Sequence, residues 1–178
     1  MLILVVGPSG AGKDTLLDKA RATLEGNRRF RFVRRVITRP AEAGGEAHEA
    51  VTQAEFATRR FALSWHAHGI HYGIPEDIEA DLKSGRAVVT SVSRGVIAES
   101  ASRYDVRVIE VTAPAAILAA RLAARGREDT TGIASRLARV VPLPASVPTE
   151  TVVNDATLEE GAARFVAALS RAAEAAQQ

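Results

Sequence analysis

Leu2-Ile3-Leu4-Val5-Val6 is apolar at every position and stops at Gly7. A run of that kind, apolar without alternation, predicts a strand buried on both faces, as in a parallel sheet. Residues 13–24 carry a helical pattern that ends before Gly26. Over 30–38 apolar and basic residues alternate, with Phe30, Phe32, Val33, Val36 and Ile37 as the apolar set, which predicts a single strand. Residues 39–50 hold a proline, a Gly-Gly pair and several small side chains, the composition of a loop. Thr52-Gln53-Ala54-Glu55 fits a capping box and predicts a short helix to residue 60. Two short strands are expected over 61–68 and 71–74, on either side of Gly69. A helix is expected over 75–84, with Pro75 in its first turn and Gly85 past its end. Residues 87–92 and 106–111 predict further buried strands, followed by helices over 95–102 and 113–125. An Arg-rich helix is expected over 130–140, and the three prolines of 142–148 force an extended or turning segment. Residues 151–153 form the last expected strand. Thr157-Leu158-Glu159-Glu160 is a second capping box and opens an Ala-rich terminal helix.

Strands that alternate with helices predict an α/β fold, a parallel sheet flanked by helices on both sides. The 178 residues suit one domain, with a core over 1–37, 75–120 and 150–178 and an inserted α+β piece over 38–74. Apolar residues at 47% and charged residues at 25% exclude a disordered or collagen-like chain. With a formal net charge of +2, a nucleic-acid partner would need a local basic patch. The basic residues sit on separate elements and the few aromatics do not interleave with them, so no nucleic-acid partner is expected. The absence of Cys excludes disulfides, thiolate nucleophiles and Cys-ligated metals. No apolar run near the start is long enough to span a bilayer, and no signal-peptide pattern precedes it. We therefore expect a cytoplasmic protein with no membrane partner, either a monomer or a homodimer.

The chemistry is carried by Gly7-Pro8-Ser9-Gly10-Ala11-Gly12-Lys13, a G-x-x-x-x-G-K stretch between a buried strand and a helix. Its glycines let backbone amides converge on phosphate oxygens, and the helix N-terminus adds partial positive charge. Lys13 can reach the β- and γ-phosphates of ATP as a point charge. At the next position Asp14 stands where Ser or Thr usually ligates Mg²⁺, and Thr15 follows. Either Thr15 takes the hydroxyl role from a shifted position or Asp14 meets the metal through water; a first-turn carboxylate favoured by the helix dipole is the plainer explanation of Asp14.

Phosphoryl transfer asks a protein mainly for positioning and for neutralisation of oxygens. Arg121, Arg125 and Arg127 lie at the end of one predicted helix, and Arg136 and Arg139 lie on the next. Two Arg-bearing helices joined by a short link suggest a lid over 121–140 that closes over the phosphates; two solvated helix faces are the bland alternative. The insertion must supply the acceptor site. Thr38-Arg39 sits at a strand end before a loop, and Trp65, His66, His68, His71 and Tyr72 cluster nearby. Alternation places His66 and His68 on one strand face, for an anionic substrate or as ordinary polar-face residues. Their spacing does not suit zinc.

Taken together, these stretches resemble the guanylate-kinase-like family of P-loop kinases. The resemblance rests on the phosphate loop, Ile37-Thr38-Arg39, Gly45-Glu46, His71-Tyr72-Gly73, the stretch 121–136 and Val153-Asn154-Asp155, which occur in that family's order over nearly the whole chain. Gly12-Lys13-Asp14-Thr15, Thr38-Arg39-Pro40 with Ala43-Gly44-Gly45-Glu46 and His48, and 63–75 look most like the branch that phosphorylates ribose 1,5-bisphosphate. Several departures from guanylate kinases agree with this. No second Arg follows Arg39, Ala50-Val51 stands in place of a Tyr, Ile74 in place of a guanine-reading hydroxyl, and Thr90-Ser91-Val92-Ser93-Arg94 in place of acidic residues. A pocket without polar partners for a base rejects that base.

The resemblance implies a P-loop NTPase fold with a helical lid. It implies ATP and Mg²⁺ as cofactors and a phosphorylated sugar as substrate. The reaction would pass the γ-phosphoryl of ATP to ribose 1,5-bisphosphate, making 5-phosphoribosyl 1-diphosphate in the setting of phosphonate breakdown; the alternative is a guanylate or other nucleoside monophosphate kinase. Lys13, Arg125 and Arg136 would be catalytic. The amides of 7–15 would hold ATP, and Thr15 or Asp14 the metal. Arg39, Tyr72, Arg94 and His68 would hold the acceptor.

Overall fold

The computed structural model describes residues 1–40, 46–124 and 142–175. Five strands form a parallel sheet: β1 (Leu2–Val6), β2 (Phe30–Phe32), β7 (Ala87–Ser91), β8 (Val106–Thr112) and β9 (Thr149–Val153), in the order β2-β7-β1-β8-β9. A second sheet, β4-β3-β6-β5, is built from β3 (Val36–Ile37), β4 (Glu49–Ala50), β5 (Phe61–Ala67) and β6 (Ile70–Pro75). The helices are α1 (Lys13–Thr23), α2 (Gln53–Ala57), α3 (Ile78–Lys83), α4 (Ile97–Arg103), α5 (Ala115–Ala124) and α6 (Leu158–Glu174). A 3₁₀ turn over Arg94–Val96 leads into α4.

β1 is fully buried because it is the central strand and each face feeds a different core. Ile3 and Val5 pack with Leu16, Phe165 and Leu169, on the side of α1 and α6. Leu2, Leu4 and Val6 pack with Ala62, Leu63, Ile74, Ile78 and Ile97, on the side of α3, α4 and the second sheet. The period of two along a strand makes this split. Arg103 Nη1 also donates to the Ala62 carbonyl at 2.7 Å, tying α4 to β5. The inserted α+β piece is thus docked on one face of the parallel sheet. Both capping boxes form as expected: Thr52 with Glu55 opens α2, and Thr157 with Glu160 opens α6.

Four expectations are corrected. The strand over 30–38 is two strands in different sheets: β2 pairs with β7, and after Arg34-Arg35 β3 pairs antiparallel with β6. Alternation along a strand does not say which neighbour its backbone meets. The loop over 39–50 ends in β4, which pairs parallel with β3. Pro75 does not open a helix; it ends β6, opposite Phe61, and α3 begins at Ile78. A proline is tolerated at a strand end with one unpaired side, and β3 pairs with β6 only as far as Gly73. His68 does not share a strand face with His66. His68 and Gly69 have φ of 53° and 73° and form the two-residue turn of the β5–β6 hairpin, where positive φ at both positions matches the twist of the strands.

The helix expected over 130–140, and with it Arg125, Arg127, Arg136 and Arg139, lies outside the described residues. Among the described residues no helix is long and apolar enough to cross a membrane. Phe165 on α6 is fully buried in the core that faces α1. Phe165→Ala is expected to cost about 3–5 kcal/mol, read as a lower urea midpoint with an unchanged m-value.

Candidate active site

The phosphate loop leaves the C-terminal end of the central strand and runs into α1. Gly7 has φ +148°, and a Cβ there would lie 2.0 Å from the Val111 carbonyl oxygen, so the loop starts pressed against β8. Gly12, the residue before α1, is left-handed at φ +89°. A Cβ on it would lie 2.5 Å from Asn154 Nδ2. Asn154 follows β9 and is buried. Its Nδ2 donates to the Ala11 carbonyl at 2.8 Å, and its backbone amide donates to the Thr112 carbonyl at 2.7 Å. Gly161 of α6 leaves room on the other side, since a Cβ there would lie 2.5 Å from Asn154 Oδ1. One side chain from the far edge of the sheet therefore holds the crest of the loop.

Next to it, Arg164 Nη1 donates to Val153 O at 3.0 Å and to Asp155 Oδ1 at 2.8 Å, which holds the Asp155 carboxyl below its usual range. Lys13 folds back over the loop, and its Nζ donates to the carbonyls of Gly7 at 2.8 Å and Pro8 at 3.1 Å. Arg121 at the end of α5 reaches the same loop, with Nη1 3.5 Å from the Gly10 carbonyl.

A narrow cleft of about 20 Å³ lies between α1 and the inserted α+β piece. Asp14, Asp18 and Arg21 line it from α1, Arg35 and Glu46 from the second sheet's flank, and Thr90 and Ser91 from the end of β7. Of the two metal candidates, Asp14 lines this cleft, whereas Thr15 is exposed and does not. Among the described residues no group of three His, Cys, Asp or Glu side chains could hold a metal. A hard cation that keeps its waters and takes one carboxylate plus substrate phosphates needs no such group, so Asp14 fits Mg²⁺.

The wall of the inserted piece is built around Arg35. Its Nε donates to Glu46 Oε2 at 2.9 Å and its Nη2 pairs with Glu46 Oε1. Its Cζ lies over the rings of Tyr72 and Trp65, 5.3 and 5.8 Å from their centroids. Those two rings stack 5.3 Å apart and 4° from parallel, because Trp65 and Tyr72 are cross-strand partners in the hairpin. The buried ring of His48 bridges the segment: its nitrogens lie 3.0 Å from the carbonyl oxygens of Glu46 and Arg39. Thr38 Oγ1 accepts from the His71 amide at 2.9 Å and holds the strand end before Arg39. Thr90 Oγ1 is buried without a protein partner among the described residues, and so is Arg39 Nε.

The residues singled out from sequence fall into three groups. Gly7 to Lys13 form the loop between β1 and α1 with Asp14 in the first helical turn, and Tyr72 packs against Arg35. Arg94 follows β7 but directs Nη2 to Glu110 of β8 in an ion pair. His68 stands exposed at the hairpin tip and is not among the cleft-lining residues. Sequence reasoning missed Arg35, Thr90 and the role of Asn154. The only prior signal for Asn154 was its place in the Val-Asn-Asp stretch. Arg35 carried none, because its partners come from three separated segments.

No family model matches the chain. It is 50% identical over 173 residues to the ribose 1,5-bisphosphate phosphokinase PhnN of Acidiphilium cryptum, covering 96% of this chain and 92% of that protein. It is 54% identical over 171 residues to the bifunctional ribose 1,5-bisphosphokinase-thymidine phosphorylase of Cupriavidus necator, covering 93% of this chain; it spans only 28% of that relative's length. Among solved structures it is similar to a guanylate kinase from Anaplasma phagocytophilum, with a TM-score of 0.66 at 19% identity over 97% of this chain and 85% of that one. That likeness speaks for the fold, a P-loop NTPase.

Proposed function

Because the chain belongs to the ribose 1,5-bisphosphate phosphokinase family, we propose that it transfers the γ-phosphoryl group of ATP to the 1-phosphate of ribose 1,5-bisphosphate, giving 5-phosphoribosyl 1-diphosphate and ADP. The observation that supports this most is that the helix opened by the phosphate loop shares one cleft with the inserted piece: Asp14, Asp18 and Arg21 of α1 line it together with Arg35, Glu46, Thr90 and Ser91.

An acceptor phosphate oxygen attacks the γ-phosphorus in line, and the bond from that phosphorus to the bridging oxygen of ADP breaks. The attacking oxygen is already an anion, so no general base is required, and catalysis reduces to holding and neutralising oxygens. Amides of 7–15 hold the ATP phosphates at the positive end of α1. Lys13 leaves the carbonyls of Gly7 and Pro8 for the transferred group, and Arg125 and Arg136, which lie outside the described residues, are the further cations this reading assigns to it. Asp14, with Thr15 as the alternative, would hold Mg²⁺, which would supply positive charge to the ATP phosphates. Arg39, Tyr72 and Arg94 hold acceptor phosphates. For Arg94 that means sharing its guanidinium between Glu110 and the ligand.

An ADP-release assay with ribose 1,5-bisphosphate, GMP and AMP tests the proposal. Turnover of the first is expected, and efficient use of GMP alone overturns it. Arg94→Ala is expected to raise the acceptor KM roughly tenfold, as for loss of one charge-assisted hydrogen bond. An unchanged KM removes Arg94 from the site.

A further inference from the structure

Resting on the acceptor reading above, we propose that Arg35 sets acceptor choice: its guanidinium covers the aromatic pair on which a nucleobase would stack, so the cleft takes a phosphorylated sugar that carries no base. Trp65 and Tyr72 offer the only paired aromatic rings on this wall among the described residues, and Arg35 lies over both. Its plane is fixed by the two bonds to Glu46, through Nε and Nη2, and both side chains are mostly buried, at 12% and 16% exposure. That fork leaves Nη1 outside the pair with Glu46. A fixed guanidinium with an edge outside its carboxylate pair suits a phosphate oxygen far better than an apolar ring.

The same cleft presents the buried, unpartnered hydroxyl of Thr90 and that of Ser91, groups that bond sugar hydroxyls or phosphate. A base stacked on Tyr72 would have to push the guanidinium away from Glu46. That would strand a mostly buried carboxylate, which is costly. The segment is also braced for this purpose. Glu46 and Arg39 are held together through His48, so the carboxylate that orients Arg35 is tied to the arginine proposed to bind acceptor phosphate.

The experiment compares the wild-type protein with Arg35→Ala and Arg35→Lys on ribose 1,5-bisphosphate, ribose 5-phosphate, GMP and AMP. Loss of a forked, charge-assisted contact is expected to raise the KM for ribose 1,5-bisphosphate roughly 30-fold in both variants. The kcat and the KM for ATP should stay within about threefold, a split that a merely structural defect would not produce. The efficiency ratio of GMP or AMP to the sugar phosphate should rise at least about tenfold in Arg35→Ala.

Since Arg35→Ala alone leaves Glu46 unpaired, the double variant Arg35→Met with Glu46→Gln removes both charges and should show the same split. Trp65 is the only Trp in the chain, so its emission reports on the wall directly. Ribose 1,5-bisphosphate without ATP should change it in the wild type and fail to at the same concentration in Arg35→Ala. Equal acceptor KM in wild type and Arg35→Ala, full rescue by Lys, or a joint loss of kcat and both KM values in the double variant would each overturn the proposal. Preference of the wild type for another base-free phosphate would defeat the reading of the substrate and leave Arg35 to be judged by the same ratios. Preference for GMP or AMP would defeat both.

Discussion

Lys13→Ala is expected to lower kcat by about a hundred- to a thousandfold, the scale for removing one preorganised charge from a transition state that is neutralised rather than covalently assisted. Lys13 Nζ donates to the carbonyls of Gly7 and Pro8, which keeps the side chain within the loop whose amides would hold ATP. Removing it withdraws those two hydrogen bonds, each worth roughly 1 kcal/mol net. The protein therefore remains folded, as an unchanged far-UV spectrum would report. The acceptor KM changes little, because the acceptor wall lies across the cleft. Activity within tenfold of wild type would mean that the loop does not bind the transferred phosphate.

Gly7→Ala is expected to cost about 3 kcal/mol or more and to abolish ATP binding measured by calorimetry. Two terms add. A residue with a Cβ at φ +148° is strained by about 1–3 kcal/mol, and overpacking costs a similar amount. The collision is with backbone, the Val111 carbonyl of β8, so no rotamer change relieves it. Gly26→Ala separates the two terms. Its φ is +78° but a Cβ there meets nothing within 4 Å, so only strain of about 1–2 kcal/mol remains. Equal losses in the two variants would show that the contact with β8 does not constrain the loop. A chain with a total stability of about 5–15 kcal/mol can fold with the smaller loss far more readily than with the larger.

Much of this molecule is local and so was readable from residue order. The glycines, the two capping boxes and α1 depend on contacts within a few residues, β1 is marked by an unbroken apolar run, and each stands close to where its pattern puts it. The hairpin was visible as two strands around Gly69, but its turn was placed one residue late, since a non-glycine residue at positive φ leaves little mark in a sequence. The split of 30–38 between two sheets was invisible for a different reason. Both halves alternate equally well, and only the partner strand distinguishes them.

The site divides along the same line. The phosphate loop needs consecutive residues in one order, which is why Gly7 to Lys13 announced a nucleotide-handling protein before any fold was known. The acceptor wall needs Arg35, Glu46, Trp65 and Tyr72 side by side, four positions drawn from β3's approach, a loop and two strands. Asn154 reaches the loop across a sequence separation of 143. The redirection of Arg94 toward Glu110 likewise depends on β7 and β8 flanking the same central strand. Chemistry written in neighbouring residues was legible in the chain alone; chemistry that depends on which distant side chains share a cleft waited for the packing, because hydrophobic patterning says that a surface is buried and is silent about what lies against it.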